Sequence, residues 1–109
     1  MKHDLAVLKE DLIAACRNIQ NFIEGVSVVE YTENLLIKSA VERQFEIIGE
    51  ILSRMSKEFP IAYANIRNAR RIIDFRNLIS HGYDVISDER VFQIVQENIP
   101  ELLEDFLKI

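Results

Sequence analysis

Residues 36–60 read LIKSAVERQFEIIGEILSRMSKEFP. Leu36, Ala40, Ile47, Ile48, Ile51, Leu52 and Met55 recur at helical spacing as far as Phe59, and Pro60 then closes the region. The middle of the chain is therefore one long amphipathic helix. Upstream, Ser27 followed by Glu30 has the form of a capping box and marks where this helical region begins, while YTENLL at its front leaves room for a bend or a separate short helix. Before it, Leu5, Leu8, Leu12, Cys16, Ile19, Phe22 and Ile23 define a first helix over 4–23, which Gly25 stops.

Downstream, residues 61–84 (IAYANIRNARRIIDFRNLISHGYD) form a third region. Ile66, Ile72 or Ile73, Leu78 and Ile79 can face a core there, after a short separate turn around 62–66, and Gly82 is expected at the left-handed position that follows a helix end. Ser87 or Asp88 can cap a last helix carrying Val91, Ile94, Val95, Ile99, Leu102, Leu103, Phe106 and Leu107 at helical spacing. Pro100 is expected to kink that helix near Asn98 and Ile99, or to split it. No stretch alternates with period two for long enough to be a strand, and no internal repeat is present. The expected architecture is a single all-α domain over 1–109, an up-and-down antiparallel bundle of four main helices with short added turns.

Composition agrees with one core. The chain has 109 residues, 49% apolar and 28% charged, with three glycines and two prolines, which excludes disordered and collagenous classes. Unbroken apolar stretches such as 12–16 are far shorter than the ~20 residues that span a bilayer. The acidic residues in MKHDLAVLKEDL are out of place in a signal peptide, so the expected location is the cytoplasm. Cys16, the single cysteine, lies among Leu12, Ile13, Ala15 and Ile19 and is read as a small buried hydrophobe.

The formal charge of −5 argues against a protein that coats nucleic acid. It is unevenly distributed: four arginines (67, 70, 71 and 76) face a single acid, Asp74, between Arg67 and Arg76. This basic segment leads into RNLISHGYD (76–84), where an arginine, an asparagine, a histidine and a tyrosine crowd one helix end. At about 100° per residue, Arg76 and His81 point about 140° apart on a regular helix. A site built from both needs the helix to end near His81, or a second copy of the chain, since a two-fold dimer would bring two arginines and two histidines to one cleft. Arginine forks onto phosphate oxygens and histidine moves protons near neutral pH, a pairing suited to phosphodiester chemistry without metal.

The spacing Arg76-x-x-x-x-His81-x-Tyr83, with Asn77 after the arginine, resembles the signature of the HepT-like HEPN ribonuclease toxins. The IIGE of 47–50, the proline-started link and the helix order extend the resemblance over most of the chain. The link lacks the tryptophan common in such relatives, with Tyr63 or Ala64 near its place. The resemblance implies a dimeric helical bundle and a metal-independent endoribonuclease of a type VII-like toxin–antitoxin pair, without a cofactor, whose RNA substrate is a tRNA or an mRNA. Arg76 would stabilise the scissile phosphate, His81 would transfer protons, and Asn77 would orient substrate or the motif. The implied partner is a minimal nucleotidyltransferase antitoxin that transfers AMP to Tyr83, adding charge and bulk in the cleft. An alternative of another class is a non-catalytic interaction or nucleotide-binding module that positions such a partner.

Plainer roles stand beside these. His81 can be a histidine favoured at the negative end of a helix dipole. Arg67, Arg70 and Arg71 form a solvated face or guide RNA backbone toward the cleft. Glu42, Glu46 and Glu50 share a helix face and could hold a cation, although Glu50 also stands four before Arg54, the favoured order for a salt bridge. Gly49 inside a helix costs ~1 kcal/mol relative to alanine, so another helix is expected to approach closely there. Phe75 and Phe92 fall in apolar patterns and belong to the core or a dimer surface, and His3 to the exposed terminus.

Overall fold

A computed structural model describes residues 4–82, 84 and 86–109, and its described residues form helices and turns with no strand. The helices are α1 (Leu5–Ile23), α2 (Val28–Glu33), α3 (Leu35–Glu58), α4 (Pro60–Ala64), α5 (Ala69–His81) and α6 (Asp88–Leu107). Four long helices and two short ones make an all-α bundle of the expected class. No helix is long and apolar enough to cross a membrane.

Each boundary has a local cause. Asp4 caps α1, its carboxylate accepting from the Ala6 amide at 2.8 Å, and Gly25 turns the chain with φ +72°. The Ser27–Glu30 box is complete: the Ser27 hydroxyl accepts from the Glu30 amide at 3.1 Å, and the Glu30 carboxylate accepts from the Ser27 amide at 3.2 Å. It starts a separate α2, after which the Asn34 side chain caps α3 by accepting from the Ile37 amide at 3.0 Å. Pro60 stands in the first turn of α4, where its missing amide hydrogen is not needed. Ser87, and not Asp88, caps α6, with its hydroxyl accepting from the Arg90 amide.

Packing orders the helices around α3. Helix α1 lies against α3 and α6, α5 lies against α3, and α2 touches both α3 and α6. Lys38 at the start of α3 pairs with Asp88 at the start of α6 at 3.2 Å, and Lys9 donates to the carbonyl of Ile109 at 2.7 Å. Phe45 of α3 meets Phe75 of α5 edge-on at 5.2 Å, and Tyr31 of α2 meets Phe92 of α6 at 5.3 Å. Both Phe75 and Phe92 are core residues. Cys16 is fully buried, and burial pushes its thiol up to about 12, so it is an apolar filler at neutral pH.

Several expectations need correction. Leu36, Leu78 and Leu107 keep the apolar period but are 81%, 48% and 52% exposed. No other helix covers them, because period alone does not say how far along a helix its neighbours reach. Helix α6 runs unbroken through Pro100, so the proline does not split it; its ring lies on an exposed turn. Gly82 follows α5 with φ −128°, and its amide donates to the Leu78 carbonyl at 2.8 Å, so the helix stops without a left-handed residue. The left-handed position is instead Asn68, φ 59°, directly before α5. Its side chain donates to Glu101 at 2.7 Å, an anchor that offsets the unusual backbone.

Candidate active site

The last turns of α5 carry the polar motif. His81 is its final residue and is exposed, without a hydrogen bond or ion pair among the described residues. Asn77, one turn earlier, is exposed as well, and its side-chain oxygen accepts from Arg76 Nη1 at 3.1 Å. Arg76 behaves differently. Its alkyl stem turns into the seam between α5 and α3, where a Cβ built on Gly49 would fall 2.5 Å from Arg76 Cγ and 2.8 Å from its Cβ and Cδ. Arg76 Nε is buried without a hydrogen-bond partner, the one such side-chain atom among the described residues. The close helix approach expected at Gly49 is thus present, and the approaching residue is the motif arginine itself.

Arg76 and His81 are therefore not stacked on one face. One lies along α3 and the other is exposed at the helix end. Tyr83 lies outside the described residues, as does His3. Asp84 is exposed.

The electrostatics around the seam are arranged by α3. Glu50 accepts from Arg54 at 2.8 Å, the i, i+4 salt bridge expected from its spacing. That hydrogen bond, then the charges of Arg54, Arg76 and Arg43, holds the Glu50 carboxyl below its usual range. Glu46 pairs with Arg43 at 3.2 Å. Glu42 is pushed up by burial and then by Asp88, against the lowering effect of Lys38. Among the described residues, no three of His, Cys, Asp and Glu converge as metal ligands would.

The arginine cluster divides. Arg67 is drawn to α6, with Nη2 2.9 Å from Asp105 and 3.2 Å from Glu104, and its amide donates to Asp105 at 2.9 Å. Arg70 faces Asp74 at 3.3 Å on the open surface. Arg71 has no ion pair among the described residues. It lines a groove of about 510 Å³ between α5 and the first turns of α6, together with Asp74, Leu78, Ile86, Arg90 and Ile94. Arg90, from the first turn of α6, lines the same groove, and its Nη1 donates to Gln93 at 3.0 Å. It has no local sequence signal, since its place beside α5 depends on how α6 packs.

The profile of the family described as "Ribonuclease HepT-like" matches residues 12–109, and the chain belongs to this ribonuclease-type helical family. Among curated relatives, two proteins of Methanocaldococcus jannaschii named as candidate RNases are 26% identical over 93% of this chain and 92% of their own length, and 28% identical over 99% and 92%. A candidate RNase of Caldanaerobacter subterraneus subsp. tengcongensis is 24% identical over 85% of this chain and 82% of its own. No solved structure matches the chain significantly.

Proposed function

We propose that the chain is a metal-independent endoribonuclease that works as a homodimer. The observation that carries this reading is the exposed His81 at the end of α5, one turn beyond Asn77 and Arg76, in a chain of a ribonuclease family. The 2′-hydroxyl of RNA attacks the adjacent phosphorus while the bond to the 5′-oxygen breaks, leaving a 2′,3′-cyclic phosphate and a 5′-hydroxyl. His81 moves the protons, Arg76 stabilises charge on the phosphate oxygens, and Asn77 orients the guanidinium or the substrate. Because Arg76 and His81 diverge on one helix, the complete set is assembled from two copies across a two-fold axis. Arg71 guides the RNA backbone toward the cleft with Arg90 in the same groove, whereas Arg67 is occupied by Asp105 and Arg70 by Asp74.

In this reading the domain is a cytoplasmic toxin, cleaving tRNA or mRNA, with Tyr83 as the acceptor of AMP from a minimal nucleotidyltransferase antitoxin. Negative charge and bulk two residues from His81 would keep RNA out. Expression of the native chain and of His81→Ala tests the activity: growth arrest and RNA cleavage lost in the variant support it. Equal behaviour of the two sinks it in favour of a non-catalytic module. Cleavage should persist in EDTA; loss of activity that Mg²⁺ restores would count against the mechanism. After co-expression with the nucleotidyltransferase, mass spectrometry should find AMP on Tyr83, and an inhibited but unmodified toxin would mean inhibition by binding.

A further inference from the structure

Gly49 stands in the middle of α3, and its φ is not positive, so the backbone does not require a glycine there. Space does. All three carbons that a Cβ would strike belong to one residue, Arg76, and all lie within 2.8 Å. The contact with Arg76 Cβ cannot be relieved by a rotamer change, because that atom is fixed to the α5 backbone. Any side chain at position 49 therefore forces the helices apart and the arginine stem out of the seam.

The stem so held leaves Arg76 Nε buried and unpaired. A buried donor without a partner is unfavourable and persists only where the surrounding packing leaves no alternative. Beyond Nε only the outer nitrogens emerge, and Nη1 is fixed by Asn77 at 3.1 Å. Glu50, the next residue on α3, would be a natural trap for this guanidinium. It is instead held by Arg54 at 2.8 Å, and Arg76 contributes only charge at longer range.

We propose that Gly49 is the positioning residue for Arg76: its missing side chain lays the arginine stem flat across α3 and fixes where the guanidinium emerges beside Asn77. Gly49 touches no RNA and acts only through Arg76. The effect on cleavage rests on the endoribonuclease reading, whereas the packing does not.

The experiment uses the full chain. Gly49→Ala should lower kcat for RNA cleavage about 100-fold with KM changed less than about threefold, because a shift of the order of 1 Å misplaces the group that meets the transition state. Phe45→Leu, which loosens the same pair of helices at the Phe45–Phe75 contact and leaves both Gly49 and Arg76 in place, should lose comparable thermal stability and keep kcat. On an Arg76→Ala background, Gly49→Ala should remove no further activity. There it should also lower the melting temperature less than in the native chain, since only the Cβ contact remains. Native kcat in Gly49→Ala, an equal kcat loss in Phe45→Leu, or an undiminished stability loss on the Arg76→Ala background would each overturn the proposal.

One measurement needs neither a variant nor activity. In nitrogen-15 spectra of the native protein, the Arg76 Nε–H should exchange with water more slowly than that of exposed Arg71, and equal rates would overturn the proposal. A native chain that cleaves no RNA would defeat the endoribonuclease reading, while the exchange rates and the stability comparison still decide the role of Gly49 in placing Arg76.

Discussion

Asp105 receives Arg67 twice, from the guanidinium and from the backbone amide, both at 2.9 Å. The carboxylate is buried on α6, and this contact ties the turn before α5 to the far end of the bundle. Asp105→Ala should therefore cost about 2 kcal/mol by loss of charge-assisted hydrogen bonds, read from urea unfolding. Stability unchanged within error would show that the pair is dispensable.

The same pair predicts an acid response. Burial alone would raise the Asp105 carboxyl, but hydrogen bonds from the Arg67 side chain and backbone, and then its charge, hold it below the ordinary aspartate value. A carboxyl lowered in the folded state contributes stability that is complete above its unfolded pKa and is lost as pH falls through the folded one. The urea midpoint should thus fall as pH drops below about 4, the range of an unperturbed aspartate. Asp105→Asn should have a lower midpoint at neutral pH and a shallower fall with acid; a parallel fall in both proteins would assign the acid response to other carboxylates.

Much of this architecture is legible in the residues themselves. Ser27 and Glu30 announce a helix start that the structure realises, and Gly25 turns the chain where the first apolar period ends. What depends on packing is not legible. Leu36 and Leu78 fit the period and yet face outward, while Tyr31, on a helix of six residues, is too brief a signal to read and is fully buried. Gly49 signals a close approach without naming what approaches. Arg67, Arg70 and Arg71 read as one basic run, and only the neighbours supplied by α6 separate an arginine held by carboxylates from one facing a groove.

That separation is testable with RNA. Arg71 and Arg90 line the same α5–α6 groove and should each contact one phosphate, so Arg71→Ala or Arg90→Ala should weaken RNA binding similarly across sequences. Each should also make the slope of log affinity against log salt shallower by about 0.7 for a single strand. Thermal stability should stay within about 0.5 kcal/mol of the native chain, because both side chains are exposed. Unchanged affinity and slope in both variants would remove the groove from the RNA path.

Pro100 sets the last expectation. It stands deep inside α6, where it lacks the amide hydrogen that would bond the carbonyl of Gln96, four residues back, and its ring crowds that carbonyl. Gln96 and Pro100 both lie on the exposed side of the helix, so water can serve the freed carbonyl and the bundle tolerates the defect. Pro100→Ala restores the hydrogen bond and a better helix former, and should raise stability by about 2 kcal/mol, somewhat less than the full intrinsic difference. In a domain of this size that corresponds to several degrees in melting temperature. RNA cleavage should not change, because Pro100 is remote from α5's last turn along the chain and lines neither the seam nor the groove. A fall in stability on removing the proline would mean that packing of its ring on α6 contributes more than the hydrogen bond that alanine restores.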